Sequence, residues 1–273
     1  MNAANPQIAA GAEKKKGRQK RLRKIGKSIL RRAEQYLEAR SLVPNDPVLD
    51  SALFPWVAEL EANWREIRGE LDQVLQQRER IPRFQDVSSE QERISPDDKW
   101  RTYVLRGFGY SSEANCRQCP KTAALLDRIP RLQTAFFSIL APGKHVPRHR
   151  GITKIFVRCH LGLVVPKERE KCVMEVGGVP CVWQEGRAIV FDDTYPHEVH
   201  NDTDEERVVL LFDFDRPMRP MGRALHKFFV WAIKRTAYFK DAKRNLDAGE
   251  QAVQRADTMF DEPSDKSGQK DAA

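Results

Sequence analysis

The stretch Ser138-Ile-Leu-Ala-Pro-Gly-Lys-His145-Val-Pro-Arg-His149-Arg150-Gly151 opens the run of about seventy residues whose reading decides the fold. Arg158 and His160 follow nine and eleven residues after His149, in Val157-Arg-Cys-His-Leu161. The run continues through Phe191-Asp192-Asp193-Thr-Tyr-Pro-His197-Glu-Val199 to Arg207, ten residues past His197. A lone histidine in a β-rich segment is most simply a satisfied polar residue, and a lone strand arginine a solvated charge. The joint order says more. Two histidines, each trailed by an arginine on a strand, point to a mononuclear iron site with an anionic cosubstrate. Neutral imidazole suits Fe(II), and two histidines beside open positions mark non-haem iron oxygenases. Arginine grips a carboxylate with two parallel donors, which lysine cannot do.

Outward from this run, strands are expected over 101–105, 134–140, 154–165, 172–176, 187–191 and 207–214. They are rich in β-branched and aromatic residues and broken by Gly and Pro turns. Many short strands in one compact stretch predict a mainly β fold with a double-sheet jelly-roll core. Alternation places Phe156, Arg158, His160 and Gly162 on one strand face and Val157, Cys159, Leu161 and Leu163 on the other. If the polar face turns inward, its arginine and histidine need an anionic partner.

The segment from Ser138 to Pro217 resembles the catalytic domain of the aspartyl/asparaginyl β-hydroxylase family. The pieces that carry the resemblance are Pro142-Gly143 with His145, His149-x-Gly151 and Arg158-x-His160-Leu161-Gly162-Leu163. They continue with Trp183-x-Glu185-Gly186-Arg187, Phe191-Asp192-Asp193 with His197-Glu198-Val199, and Arg207 with Asp215-Arg216-Pro217. Related bacterial lipid A and ornithine-lipid 2-hydroxylases extend the likeness upstream, through Cys119-Pro120-Lys121-Thr122 and Ile129-Pro130. The resemblance implies a double-stranded β-helix of cupin type and an Fe(II)- and 2-oxoglutarate-dependent dioxygenase consuming O2. It implies that His149 and His197 bind the iron and that Arg207 pairs with the far carboxylate of 2-oxoglutarate. Ser138, Arg158 and His160 would be further cosubstrate contacts. Many iron oxygenases carry Asp or Glu two residues after the first histidine. Gly151 stands there, as in the aspartyl/asparaginyl branch and unlike the lipid A enzymes. Water would then replace the third protein ligand, oriented by Asp193.

The ends differ from this core. Residues 1–45 hold twelve Lys/Arg against three Glu, while the whole chain is +8, so the remainder is about neutral. The run Lys14–Lys24 reads as a solvated tail, or as a contact for an anionic membrane surface at about 1 kcal/mol per basic residue. Nucleic acid ranks lower, since no aromatics interleave the run. A helix is expected over 25–40 and a second over 52–80, with Leu60, Trp64, Ile67, Leu71 and Leu75 on one stripe. Residues 81–99 read as a polar loop, which the resemblance would place at the rim of the active site. After Pro220, Leu225, Phe228, Phe229, Ala232, Ile233 and Thr236 form an apolar stripe with Trp231, ringed by Lys227, Lys234, Arg235, Lys240, Lys243 and Arg244. That pattern fits a terminal helix on the core or one lying in a membrane interface. The expected organisation is therefore a basic tail and amphipathic helix over 1–45, a helical region and loop over 46–99, and a jelly roll over 100–220. A basic amphipathic helix over 221–256 and a disordered tail over 257–273 complete it.

At 40% hydrophobic and 32% charged residues the composition is that of a soluble globular chain. No apolar run approaches a membrane span or a signal peptide, and five cysteines fit a reducing compartment, so a cytoplasmic protein is expected, peripheral on the inner face of the cell membrane. Cys116-x-x-Cys119 lacks the second pair that a structural zinc site needs. His145, four before His149 but flanked by Pro142, Gly143 and Pro147, is left as a structural residue. The substrate expected from the charged ends is a lipid acyl chain. The alternatives are Asp or Asn in a peptide, protein or small molecule, and a jelly-roll binding module without catalysis.

Overall fold

The computed structural model describes residues 32–87, 94–151, 153–233 and 235, with only the backbone of 232 and 233. The basic run Lys14–Lys24, the start of the first helix and the segment from 236 onward lie outside the described residues. That first helix, α1, is described over 32–38.

Eight strands build two facing sheets. They are β4 (Leu132–Leu140), β5 (Lys144–His149), β6 (Phe156–Val164), β7 (Cys172–Val176), β8 (Val179–Val182), β9 (Ala188–Phe191), β10 (His197–Asn201) and β11 (Arg207–Asp215). Three more strands, β1 (Val48–Leu49), β2 (Trp100–Gly107) and β3 (Tyr110–Ser111), extend one sheet. Its order is β1-β9-β6-β11-β4-β2-β3, that of the other is β5-β10-β7-β8, and every pairing is antiparallel. Successive strands from β4 to β11 thus distribute between the two sheets as in a double-stranded β-helix.

The larger sheet is buried on both faces, which is why β11 reads as an almost unbroken apolar run. Val208, Leu210, Phe212 and Phe214 join Val157, Cys159, Leu161 and Leu163 of β6 in one apolar layer. Helices α2 (Pro55–Ala62), α3 (Trp64–Leu75), α5 (Glu113–Gln118) and α6 (Pro120–Leu126) contribute Val57, Leu60, Ile67, Leu71, Cys116, Leu125 and Leu126 to it. Truncating Leu71 to Ala here should cost about 2–5 kcal/mol. The opposite face meets the smaller sheet in a second layer containing Trp100, Leu140, Val146, Met174, Val176, Trp183, Phe191, Val199, Val209 and Leu211. Arg158 and His160 share this inner side, as alternation predicts.

Several boundaries move. The single helix expected over 52–80 is two, because Asn63 leaves helical geometry at φ −102°, ψ 12°. Its side-chain amide donates to the Glu59 carbonyl at 2.8 Å, and the break lets both helices add to the same apolar layer. Glu70 of α3 then accepts from the backbone N–H groups of Lys121 and Thr122, serving as the cap that α6 lacks in its own sequence. The region 81–99 is more than a loop. Helix α4 (Phe84–Val87) packs Phe84 on Trp100, with ring centroids 4.4 Å apart, and Ile81 and Ile94 are buried. The strands β5 and β8 escape a propensity reading because Pro147 and Pro180 interrupt them. Both are edges of the smaller sheet, where a missing N–H is tolerated. The last helix, α7, spans Pro220–Ile233.

Candidate metal and anion site

β5 and β10 pair so that His149 faces His197, with ring centroids 4.1 Å apart and planes at 53°. A register shift makes this possible. Val146 opposes Val199 in the apolar interior, and simple alternation would turn Arg148 inward. The shift between Val199 and His197 inserts one residue in β5 and brings His149 to the inner face instead.

Each ring is then pinned. His149 Nδ1 lies 2.9 Å from the Pro147 carbonyl oxygen, and His197 Nδ1 lies 2.9 Å from that of Tyr195. A carbonyl only accepts, so both Nδ1 atoms carry the proton and both Nε2 atoms carry the lone pair. Burial and then the neighbouring His149 push His197 down to about 3, keeping it neutral. With Nδ1 so committed, the two facing rings present Nε2 as the free donor atom in their neutral form, a donor set suited to a divalent transition metal.

Asp193 takes a place that Gly151 vacates. A Cβ on Gly151 would stand 2.3 Å from Asp193 Oδ1, and the Gly151 N–H donates to the Asp193 carbonyl at 2.7 Å. The Asp193 carboxyl thus fills the space that a side chain on residue 151 would take. Burial raises the Asp193 carboxyl to about 6, opposed by the Arg158 guanidinium 3.4 Å away. Arg158 makes two bonds to Asp213, at 2.7 and 3.0 Å, so its charge is compensated within the chain. The neighbouring Asp192 plays a different part. It is wholly buried against Arg216 at 2.5 Å and Lys154 at 3.1 Å, and fixes the turn that carries Asp193.

Deeper inside lies a group of unsatisfied donors. Arg207 is 2% exposed, and burial lowers its guanidinium to about 10. It reaches the Ser138 carbonyl at 3.4 Å and stacks over Trp183 at 4.6 Å, while its Nε has no partner. Both ring nitrogens of His160, the indole N–H of Trp183 and the Thr102 hydroxyl are likewise buried without partners. Burial, then the charges of Arg207 and Arg158, hold His160 well below its usual range. Buried orphans of this kind cost about 1–3 kcal/mol each, more when charged. The unpartnered polar atoms of Arg207, His160 and Trp183, brought together by the contacts of both other groups with the Trp183 ring, suit a carboxylate. These groups connect to the histidine pair through rings: His160 on Phe191 at 5.0 Å, and Phe191 on His197 at 5.8 Å.

Of the residues singled out in the sequence, His149, His197 and Asp193 meet at one point, and His160, Arg207 and Ser138 meet at the other. Ser138 offers its carbonyl to Arg207, while its hydroxyl accepts from the Trp100 indole at 3.0 Å. Arg158 stands between the two groups. Thr102, Trp183 and Asp213 complete the site without a role predicted for them, although Trp183 falls within one of the motifs that carry the resemblance. His145 points away from all of them, its ring stacked on His200.

The family model for aspartyl/asparaginyl beta-hydroxylase matches residues 61–217. The ornithine lipid ester-linked acyl 2-hydroxylase of Rhizobium tropici is 44% identical over 221 residues, covering 81% of this chain and 77% of that protein. The human aspartyl/asparaginyl beta-hydroxylase is 33% identical over 166 residues, covering 59% of this chain and 21% of that longer protein. Among solved structures, a 2OG-Fe(II) oxygenase family protein from Burkholderia pseudomallei aligns with a TM-score of 0.36 at 14% identity, over 44% of this chain and 67% of that one. The chain belongs to the aspartyl/asparaginyl beta-hydroxylase family.

Proposed function

We propose that this chain is an Fe(II)- and 2-oxoglutarate-dependent hydroxylase acting on the acyl chain of a membrane lipid. The observation that carries the chemistry is the facing pair of a half-buried His149 and a buried His197, oriented by two carbonyls, beside an arginine and a histidine that lack an anion. His149 and His197 would hold the metal through Nε2. Asp193 would accept from a water on it, steadied by Arg158. Arg207, with His160 and the Trp183 indole, would hold the far carboxylate of the cosubstrate. Iron and 2-oxoglutarate bound there supply oxidising power from O2, converting a substrate C–H to C–OH with release of succinate and carbon dioxide. The protein fixes the geometry, and the apolar walls of Phe191, Trp183 and Leu211 exclude water.

The substrate class rests on two further observations. The relative matched over most of both chains carries the name of a lipid acyl 2-hydroxylase. Helix α7 offers a surface suited to a membrane. Met221, Phe228 and Trp231 are 65%, 58% and 51% exposed, and Arg219, Arg223, Lys227 and Arg235 are exposed around them. No Asp or Glu occurs between Arg216 and Lys240. A basic helix with protruding aromatics suits the interface of an anionic bilayer. α7 follows β11 directly, and its His226 lies 2.9 Å from Asp215, two residues past the partner of Arg158. The helix is therefore anchored at the Asp193 end of the barrel. No helix among the described residues is long and apolar enough to cross a membrane.

The second reading is hydroxylation of Asp or Asn, favoured by Gly151 in place of an acid. Lipid mass spectrometry of cells with and without the protein separates the two. A lipid acyl chain gaining one oxygen is expected, and an unchanged lipid profile beside active succinate release would move the Asp/Asn reading ahead.

A further inference from the structure

The outer face of the β5–β10 pair carries a second convergence of donors, turned away from the inner histidines. His145 and His200 are register partners, with rings stacked 4.1 Å apart and planes at 17°. Glu198 Oε2 lies 3.5 Å from His145 Nε2 and 3.6 Å from His200 Nε2. The three donor atoms all fall within 4.8 Å of one another. Arg148 donates to the other oxygen, Oε1, at 3.3 Å, which leaves Oε2 aimed at the imidazoles. The guanidinium is shared with Glu175 at 3.0 Å, so two carboxylates surround one arginine and the patch retains room for added positive charge.

These separations can be set against a metal. Zinc takes nitrogen and oxygen ligands at about 2.0–2.2 Å, which puts the donor atoms of a tetrahedral site about 3.3–3.5 Å apart. The two distances to Glu198 already match. The imidazoles need only rotate slightly about their side-chain bonds, and both side chains are half exposed. A set of two imidazoles and one carboxylate selects borderline transition-metal ions over Mg(II) or Ca(II), which prefer oxygen throughout.

We propose that His145, Glu198 and His200 form a surface site for a divalent ion of the zinc class, separate from the inner histidine pair. Its position gives it a consequence. β5 is an edge strand, held to its sheet only by β10. An ion bridging residues 145 and 200 would clip that edge on the outer face, three residues along β10 from His197 and four along β5 from His149.

The test is equilibrium titration of the full-length protein with Zn(II) against a chromophoric chelator. Wild type should take up one equivalent more than H145A/H200A. H149A/H197A should keep that equivalent, and adding H145A/H200A to it should remove it. The cysteines are common to all variants and cancel from the difference. E198Q keeps the shape of the side chain and should weaken the outer equivalent at least about tenfold. Zn(II), and not Mg(II), should raise the Tm of H149A/H197A. Equal zinc stoichiometry and affinity in wild type, H145A/H200A and E198Q would overturn the proposal. E198Q changes charge with little change in volume, so a loss of the outer equivalent in E198Q with native circular dichroism could not be blamed on a misfolded double variant.

Discussion

Two histidine pairs bridge the same two strands, one on each face, and both have ring centroids 4.1 Å apart. Separation therefore does not distinguish them. The inner rings are tilted at 53° and each is tied through Nδ1 to a carbonyl two residues earlier. The outer rings are stacked at 17°, and their only polar neighbour among the described residues is Glu198. His197 is 3% exposed, while the side chains of His145 and His200 are 49% and 41% exposed. Burial keeps His197 neutral, and the carbonyls orient both inner rings in advance. The outer pair must still organise around whatever it binds. A register shift of one residue in β5 decides which histidine goes to which face.

The sharpest break between the pairs is loss of activity. His149→Ala or His197→Ala should reduce 2-oxoglutarate-dependent succinate release to background while circular dichroism stays native, because each removes one of two inner donors. His145→Ala and His200→Ala, on the same strands, should leave release at the wild-type order. Loss of release in both sets alike would show that the strand pair, rather than its inner face, is what matters.

The next effect lies with the anion. Arg207→Ala should raise the 2-oxoglutarate requirement at least about thirtyfold and change iron binding little. Removing one partner of a buried charged contact costs about 2–5 kcal/mol, at tenfold for every 1.4 kcal/mol. Measured 2-oxoglutarate affinity checks this. An unchanged value would shift the anchoring role toward Arg158, against its two bonds to Asp213.

A smaller effect separates the inner pair from its carboxylate. Gly151→Ala places a methyl group 2.3 Å from Asp193 Oδ1, so the carboxylate must swing away. Overpacking of this sort costs about 1–3 kcal/mol. Slower succinate release with both histidines present is expected, together with a lower Tm. Wild-type kinetics in this variant would show that Asp193 has no part in the site.

How much of this was legible follows from what a sequence displays. His149, His197 and Arg207 could be read because their order and spacing carry the pattern. The shared face of Arg158 and His160 could be read because strand alternation is strict. The inward turn of His149 could not, since Pro147 reads as a break while the structure uses it inside an edge strand with a shifted register. Trp183 lies in an irregular segment with no period to reveal its direction. Asp213 sits in an apolar run, and only the pairing of β11 with β6 brings it to Arg158. The split at Asn63 was hidden because the apolar spacing continues across it. The outer cluster joins residues 53 and 55 positions apart, and nothing local marks His145 as a partner of Glu198 and His200.

The smallest expected effect on chemistry, and the most selective, concerns α7. Phe228 and Trp231 stack on each other at 5.8 Å and face outward, and Arg235 lies over the indole at 3.9 Å. Neither aromatic touches the inner pair, so Phe228→Ala with Trp231→Ala should leave uncoupled succinate release unchanged. The same double variant should sediment poorly with anionic liposomes, because burying such aromatic surface in an interface contributes roughly 25 cal/mol per Å². The basic residues should make binding salt-sensitive, since exposed charges are screened within about 8 Å at physiological ionic strength. His149→Ala should show the reverse pattern, with liposome binding intact and turnover lost. Co-sedimentation and succinate release on the same preparations read both. If the α7 variant binds anionic vesicles like wild type, the helix is not the membrane contact and the lipid reading rests on sequence similarity alone. If it loses uncoupled turnover as well, α7 supports the inner site through Asp215 and His226 rather than delivering substrate to it.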